Sequence, residues 1–230
     1  MPVAASTGLP CARMQPPRPF LSWPATRRWK GNELANERRT QLPHLRGLVM
    51  KITRRFVHCW ADRYDEFQRR QDPKDAEVER EIETWLRRLP EPKYLDKPNF
   101  VKIGRWKTKR QTRAYESNDQ VLVEKATRLA YLADEPHLKL HILQVLRGVS
   151  VGVSSTILYF LHPDSFPIFD IRARTTLRAA GSWNRPVDDA SADAWLEYVQ
   201  LMRGLSRDLG VSLRDLDKAL WAYDRLGGSG

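Results

Sequence analysis

Leu146-Arg147-Gly148-Val149-Ser150-Val151-Gly152-Val153-Ser154-Ser155-Thr156-Ile157-Leu158 is the stretch whose reading decides the fold. It ends one helix, turns tightly at glycine and starts another. Glycine supplies backbone angles closed to other residues, and the small Ser154 and Ser155 let two helices approach closely. A new helix presents unpaired N–H groups at its amino end, where the dipole adds partial positive charge. Such a turn grips a phosphate without reading any base. Taken alone, it is equally an ordinary helical hairpin.

Outward from this turn the signal stays helical. Residues 51–71 place Ile52, Phe56, Trp60, Tyr64 and Phe67 on one stripe. Residues 74–89 read as a charged helix carrying Val78, Ile82, Trp85 and Leu89, stopped by Pro90. Residues 91–116 read as irregular and strongly basic. Ser117 with Gln120 makes a capping box for a helix to about Ala133. Asp134 caps the next helix, with Pro136 in its first turn and Leu138, Ile142, Val145 and Leu146 along it. A helix resumes from about Val153 to Leu161, and His162-Pro163-Asp164 is a turn. Asp170 starts another helix, which ends before Gly181, and Ser212 opens the last with Asp215 at its third position. There is no convincing strand alternation and no internal repeat. The fold class expected is all-α.

The ends read differently. Seven of the 15 prolines fall in residues 1–49, with Arg13, Arg18, Arg27, Arg28 and Lys30 before the first acidic residue, Glu33. This is expected to be a disordered tail, either a basic arm lying on DNA or an over-extended start ahead of Met50. Residues 50–226 form the expected domain, and residues 227–230 a flexible end.

The 230 residues suit one compact domain or two small lobes sharing a cleft. Lys plus Arg number 39 against 28 Asp plus Glu, a formal net charge of +11. Such an excess favours polyanions, because neutralised phosphates release counterions; a soluble basic protein without a nucleic-acid role carries the same charge. Two cysteines, Cys11 and Cys59, exclude a disulfide framework, a four-cysteine zinc site and a four-cysteine iron–sulfur cluster. No apolar run is long enough to span a bilayer. A cytoplasmic, bacterial protein with no membrane partner is expected, acting as a monomer. His137 and His141 lie one helical turn apart, the spacing of a metal face, but no third ligand accompanies them. No metal site is assigned.

Leu-x-Gly-Val before a small-residue helix, then Ile157, Leu158, Phe160 and Leu161, then Pro163 to Phe169, then Asp170, resembles the helix-hairpin-helix DNA glycosylases of the endonuclease-III type. The interval from Gly148 to Asp170 matches that family without gaps. The resemblance covers residues 117–181 well and the rest loosely. The segment Trp-Lys-x-x-Arg at 106–110, the run Pro167 to Ala173 and Asp217 to Trp221 are similar to small bacterial glycosylase-like proteins. Some relatives of that kind act in phage defence, removing modified bases such as hydroxymethylated or glucosylated cytosine.

The resemblance implies two helical lobes with double-stranded DNA across the cleft. The hairpin spans residues 141–161 and the catalytic-Asp helix 170–180. Asp170 is the implied catalytic carboxylate. Breaking an N-glycosidic bond builds positive charge on the sugar, which a carboxylate stabilises while it orients or deprotonates water. Asp is also a good helix N-cap, so the residue alone supports both roles. Bifunctional members carry a hairpin Lys, where this chain has Gly152. The implied enzyme is therefore monofunctional, with water as nucleophile and an abasic site as product. No cofactor is expected beyond a monovalent cation that the hairpin backbone could hold.

The expected DNA contacts are Gly148, Val149, Ser150, Val151 and Gly152 in the hairpin, with Arg105, Lys107, Arg110 and Arg172. Arg174 is a further candidate phosphate contact. Cations interleaved with aromatics in residues 105–115, Tyr115 included, suit phosphates and stacked bases. Trp106, Tyr94 and Phe169 are candidate residues for a base pocket or a wedge, since a base must leave the stack to react. Two alternatives stand beside this: a non-enzymatic module that only holds DNA, and a glycosylase/lyase using another lysine such as Lys107.

Overall fold

The computed structural model describes residues 50–71 and 73–227. The tail assigned to residues 1–49 lies outside them. The described residues form ten α-helices: α1 (Arg54–Gln71), α2 (Pro73–Arg88), α3 (Lys97–Lys107), α4 (Thr112–Glu116), α5 (Gln120–Leu132), α6 (Pro136–Leu143), α7 (Val151–Leu161), α8 (Ile171–Ala179), α9 (Ala192–Leu209) and α10 (Leu213–Ala222). No strand occurs among them. A 3-10 turn (Lys109–Gln111) joins α3 to α4, and a π-helical turn (Tyr223–Gly227) follows α10. Gly227 thus belongs to the fold, one residue beyond the expected boundary.

Two groups of helices are evident. In one, α3, α5, α6 and α7 pack on one another, with α4 against α3. In the other, α10 packs against α1, α8 and α9. α2 touches α1 on one side and α3 and α7 on the other, while α9 reaches α6 and α7. α7 is the central element. All its residues except Gly152 are buried, as an apolar helix between two layers must be.

Several boundaries differ from the sequence reading. Residues 91–116 are mostly helical. Asp96 caps α3 by accepting from the Asn99 N–H at 2.9 Å, Pro98 sits in its first turn, and Phe100 and Ile103 are buried. Asp119, not Ser117, caps α5, accepting from Leu122 N–H at 3.1 Å. α6 starts after Glu135 with no side-chain cap, so Asp134 is not its cap. Its buried side includes Leu140 and Leu143, and Leu138 and Val145 are exposed. α9 was not anticipated.

Candidate active site

The turn before α7 is built by glycine and held by an asparagine. Gly148 has φ +83, and a Cβ there would stand 2.9 Å from the Tyr115 ring. Both facts exclude a side chain. Asn118, on the segment between α4 and α5, accepts from Arg147 N–H at 2.7 Å and donates to Arg147 C=O at 3.1 Å. It also donates to the Ala114 and Tyr115 carbonyls at 2.9 and 3.0 Å. Tyr115 is buried in the core, not available to stack on a base. Val149 and Val151 are buried as well, leaving mainly backbone and Ser150 at the surface of the turn. Ser150 makes no side-chain cap to α7.

From α7 the chain passes through buried Phe166, Ile168 and Phe169 to Asp170. Ser155 ties this return to the helix. Its hydroxyl donates to Gly152 C=O at 2.8 Å and accepts from Phe169 N–H at 2.9 Å. Asp170 then caps α8, its Oδ1 accepting from Arg172 N–H at 2.9 Å. Its Oδ2 accepts from the Lys107 ammonium at 2.8 Å. Lys107 Nζ also donates to Phe169 C=O at 3.4 Å. The two side chains remain 15% (Lys107) and 22% (Asp170) exposed. Burial pushes the Asp170 carboxyl up, but Lys107 and the Arg172 N–H outweigh it and hold it below the usual range. Asp170 is therefore an anion at neutral pH that still reaches solvent.

Lys107 comes from the carboxy end of α3, 63 residues from Asp170. A Cβ on Gly152 would stand 3.9 Å from Lys107 Cε and 3.7 Å from the Phe169 carbonyl oxygen. The hairpin thus carries no amine of its own, yet α3 brings one beside it. The other end of the same basic segment also touches the turn, Ala114 and Tyr115 standing under Gly148. Arg105, Arg110 and Arg147 are exposed and have no ion-pair partner among the described residues. The hairpin and the segment 105–115 therefore adjoin at both ends.

Other candidates are placed elsewhere. Arg172 donates to Asp224 Oδ2 at 2.8 Å and lies 5.8 Å from the Trp221 ring centroid, so its cation is already paired. Arg174 is buried, stacked 3.9 Å over Phe169 and donating to Asp189 C=O, and does not face a phosphate. Phe169 is buried against Tyr198. Tyr94 packs on Trp85 and under Arg128. Trp106, half-buried, packs edge-on against Phe160 and lies near Arg214. Trp106 and Phe169 each precede a member of the Lys107–Asp170 pair in the chain, but Phe169 is buried and only Trp106 keeps part of its surface open.

The sequence reading missed a buried polar cluster behind the pair. Arg214 on α10 donates to both Glu79 oxygens, at 2.7 and 2.8 Å, and to Asp217 Oδ2 at 2.8 Å. Tyr159 donates to Glu79 and Glu83, each at 3.0 Å. Nothing local signalled it, because Arg214 meets Tyr64, Trp106 and Tyr159 only in the fold, where burial makes it need carboxylates. No group of three or more His, Cys, Asp or Glu among the described residues could hold a metal ion. His137 instead lies 3.7 Å from Asp193. No described helix is long and apolar enough to cross a membrane.

No protein-family model, curated protein or solved structure matches this chain.

Proposed function

We propose that this protein is a DNA glycosylase that flips a damaged or modified base from double-stranded DNA and hydrolyses its N-glycosidic bond, with Asp170 as the catalytic carboxylate. The observation that carries this reading is the position of Asp170. It is ionised and partly exposed, and it sits one short buried return from a glycine turn suited to phosphate. The carboxylate stabilises positive charge on the sugar and orients water toward C1′. Exposed Arg105, Arg110 and Arg147 and the hairpin backbone hold the flanking phosphates. The product is a free base and an abasic site. A modified cytosine of phage DNA is one candidate substrate.

The test is mass spectrometry of bases released from diverse DNAs, including phage genomes with modified cytosine. Release by the wild type, lost in Asp170→Asn with DNA binding retained, supports the enzyme. A variant equal to the wild type in every assay favours a module that only holds DNA.

The Lys107 amine, 2.8 Å from Asp170, favours a second reading, a combined glycosylase/lyase. Borohydride trapping of a covalent adduct on abasic duplex DNA, absent in Lys107→Met, would select it over water as nucleophile.

A further inference from the structure

A helix at a protein surface turns its bulky apolar residues inward. α5 does the reverse. It buries Val123, Ala126, Thr127 and Ala130, mostly small, and leaves Val121, Leu122, Leu129 and Leu132 outside. α6, joined to α5 by residues 133–135 and packed against it, adds Leu138 and Val145. These six are 44–60% exposed, and among the described residues Ile171 is the one other large aliphatic side chain so open. Single exposed apolar residues are ordinary, but a cluster on two neighbouring helices marks an interaction surface.

The charges on this face say what covers it. Lys125 and Arg128 stand on the outer side of α5, and Asp134 and Glu135 just past its end, all four exposed. None of the four is in an ion pair among the described residues. Residues 1–49, with eight Lys and Arg against two Asp and Glu, would set like charges beside Lys125 and Arg128. An acidic partner would do the same beside Asp134 and Glu135. A second copy answers both signs at once. Laid antiparallel on α5, with a two-fold axis between Leu129 and Leu132, it sets the partner's Leu132 against Leu129. The same placement brings the partner's Asp134 to Arg128, the partner's Glu135 to Lys125 and the partner's Leu138 to Leu122. All four pairs are centred on residues 130–131, so one register serves them, and each recurs across the axis because such an interface is isologous.

We infer that the outer face of α5 and α6 is a homodimer interface, and that the protein works as a two-fold dimer in place of the monomer expected from its sequence. A stable interface takes about 800 Å² from each partner. The six aliphatic side chains form its apolar centre and the four charged residues its rim. The pairing does not rest on the glycosylase reading. α6 runs from this face into the Gly148 turn, so the dimer also fixes two hairpins relative to each other.

The experiment is sedimentation equilibrium of the full chain from about 1 to 100 µM, without DNA. The expected mass approaches that of two chains as concentration rises. Leu129→Asp, at an exposed position, keeps the helical circular dichroism of the wild type and raises the dimer Kd by about 100-fold or more. Lys125→Glu raises it by about 10-fold, and adding Glu135→Lys in the same chain restores it to within about threefold of wild type. A full chain that stays monomeric throughout overturns the proposal, and if its Leu129→Asp variant also melts at a lower temperature, residues 1–49 cover the face instead. A dimer that Leu129→Asp leaves intact pairs through another surface and overturns it too. Failure of Glu135→Lys to rescue Lys125→Glu overturns the antiparallel pairing. If Leu129→Asp does not fold, the charge exchange decides alone.

Discussion

At the scale of single residues, the Lys107–Asp170 pair governs what the site can do. An ammonium 2.8 Å from a partly exposed carboxylate keeps that carboxylate charged. Lys107→Met removes the cation, and burial then raises the Asp170 carboxyl. The acid limb of base release, where Asp170 takes up a proton, accordingly shifts to higher pH, measurable in a rate–pH profile. The folded state changes in the same sense. A carboxyl held low when folded contributes stability above the ordinary carboxylate range and loses it as pH falls through its folded value. Asp217 has the opposite sign, because its raised carboxyl costs stability as pH climbs from about 4, the unfolded value, toward 6. The cap position of Asp170 was legible in the sequence because a short apolar lead-in and a helix start are local features. Lys107 was legible as a cation but not as the partner of Asp170, for nothing local links residues 63 apart. The Arg214–Glu79 pair, 135 residues apart, was invisible for the same reason.

At the scale of elements, the α7–α8 connection is a rigid bracket for the carboxylate. The Ser155 hydroxyl, itself anchored to the Gly152 carbonyl within α7, accepts from Phe169 N–H near the far end of that connection. Ser155→Ala strands that buried N–H, and stability should fall by about 1–3 kcal/mol, seen as a lower Tm or denaturant midpoint. Base release should fall further than DNA binding, because the bracket positions Asp170 more than it holds phosphate. The turn before α7 was readable from Gly148, since its positive φ leaves few other residues possible. α3 was misread because Lys and Arg dominate its surface. Its cap at Asp96, Pro98 in the first turn and buried Phe100 and Ile103 carried the helical signal. The same holds for α9, where Ser191 caps by accepting from Ala194 N–H and Trp195, Tyr198, Val199 and Met202 make a buried stripe. In α6 the apolar residues exceed what one face can bury, so the buried side could not be chosen from spacing alone.

At the scale of the whole molecule, the all-α class of the described residues agrees with the sequence pattern. Alternation was absent and helical periods were long. The excess of basic residues belongs to the same scale. If the surface around the hairpin holds phosphates, the affinity for duplex DNA should fall steeply with salt. Each phosphate neutralised contributes a slope of about −0.9 in log K against log salt. Titrations between low and physiological ionic strength measure it, and a flat response contradicts a phosphate-gripping surface. The central claim is that Asp170 breaks an N-glycosidic bond, and the most direct measurement is the yield of free base from duplex DNA by wild type and Asp170→Asn at matched DNA occupancy. The account predicts base from the wild type and essentially none from the variant. Equal yields from both, or no base from the wild type on any DNA that it binds, would contradict it.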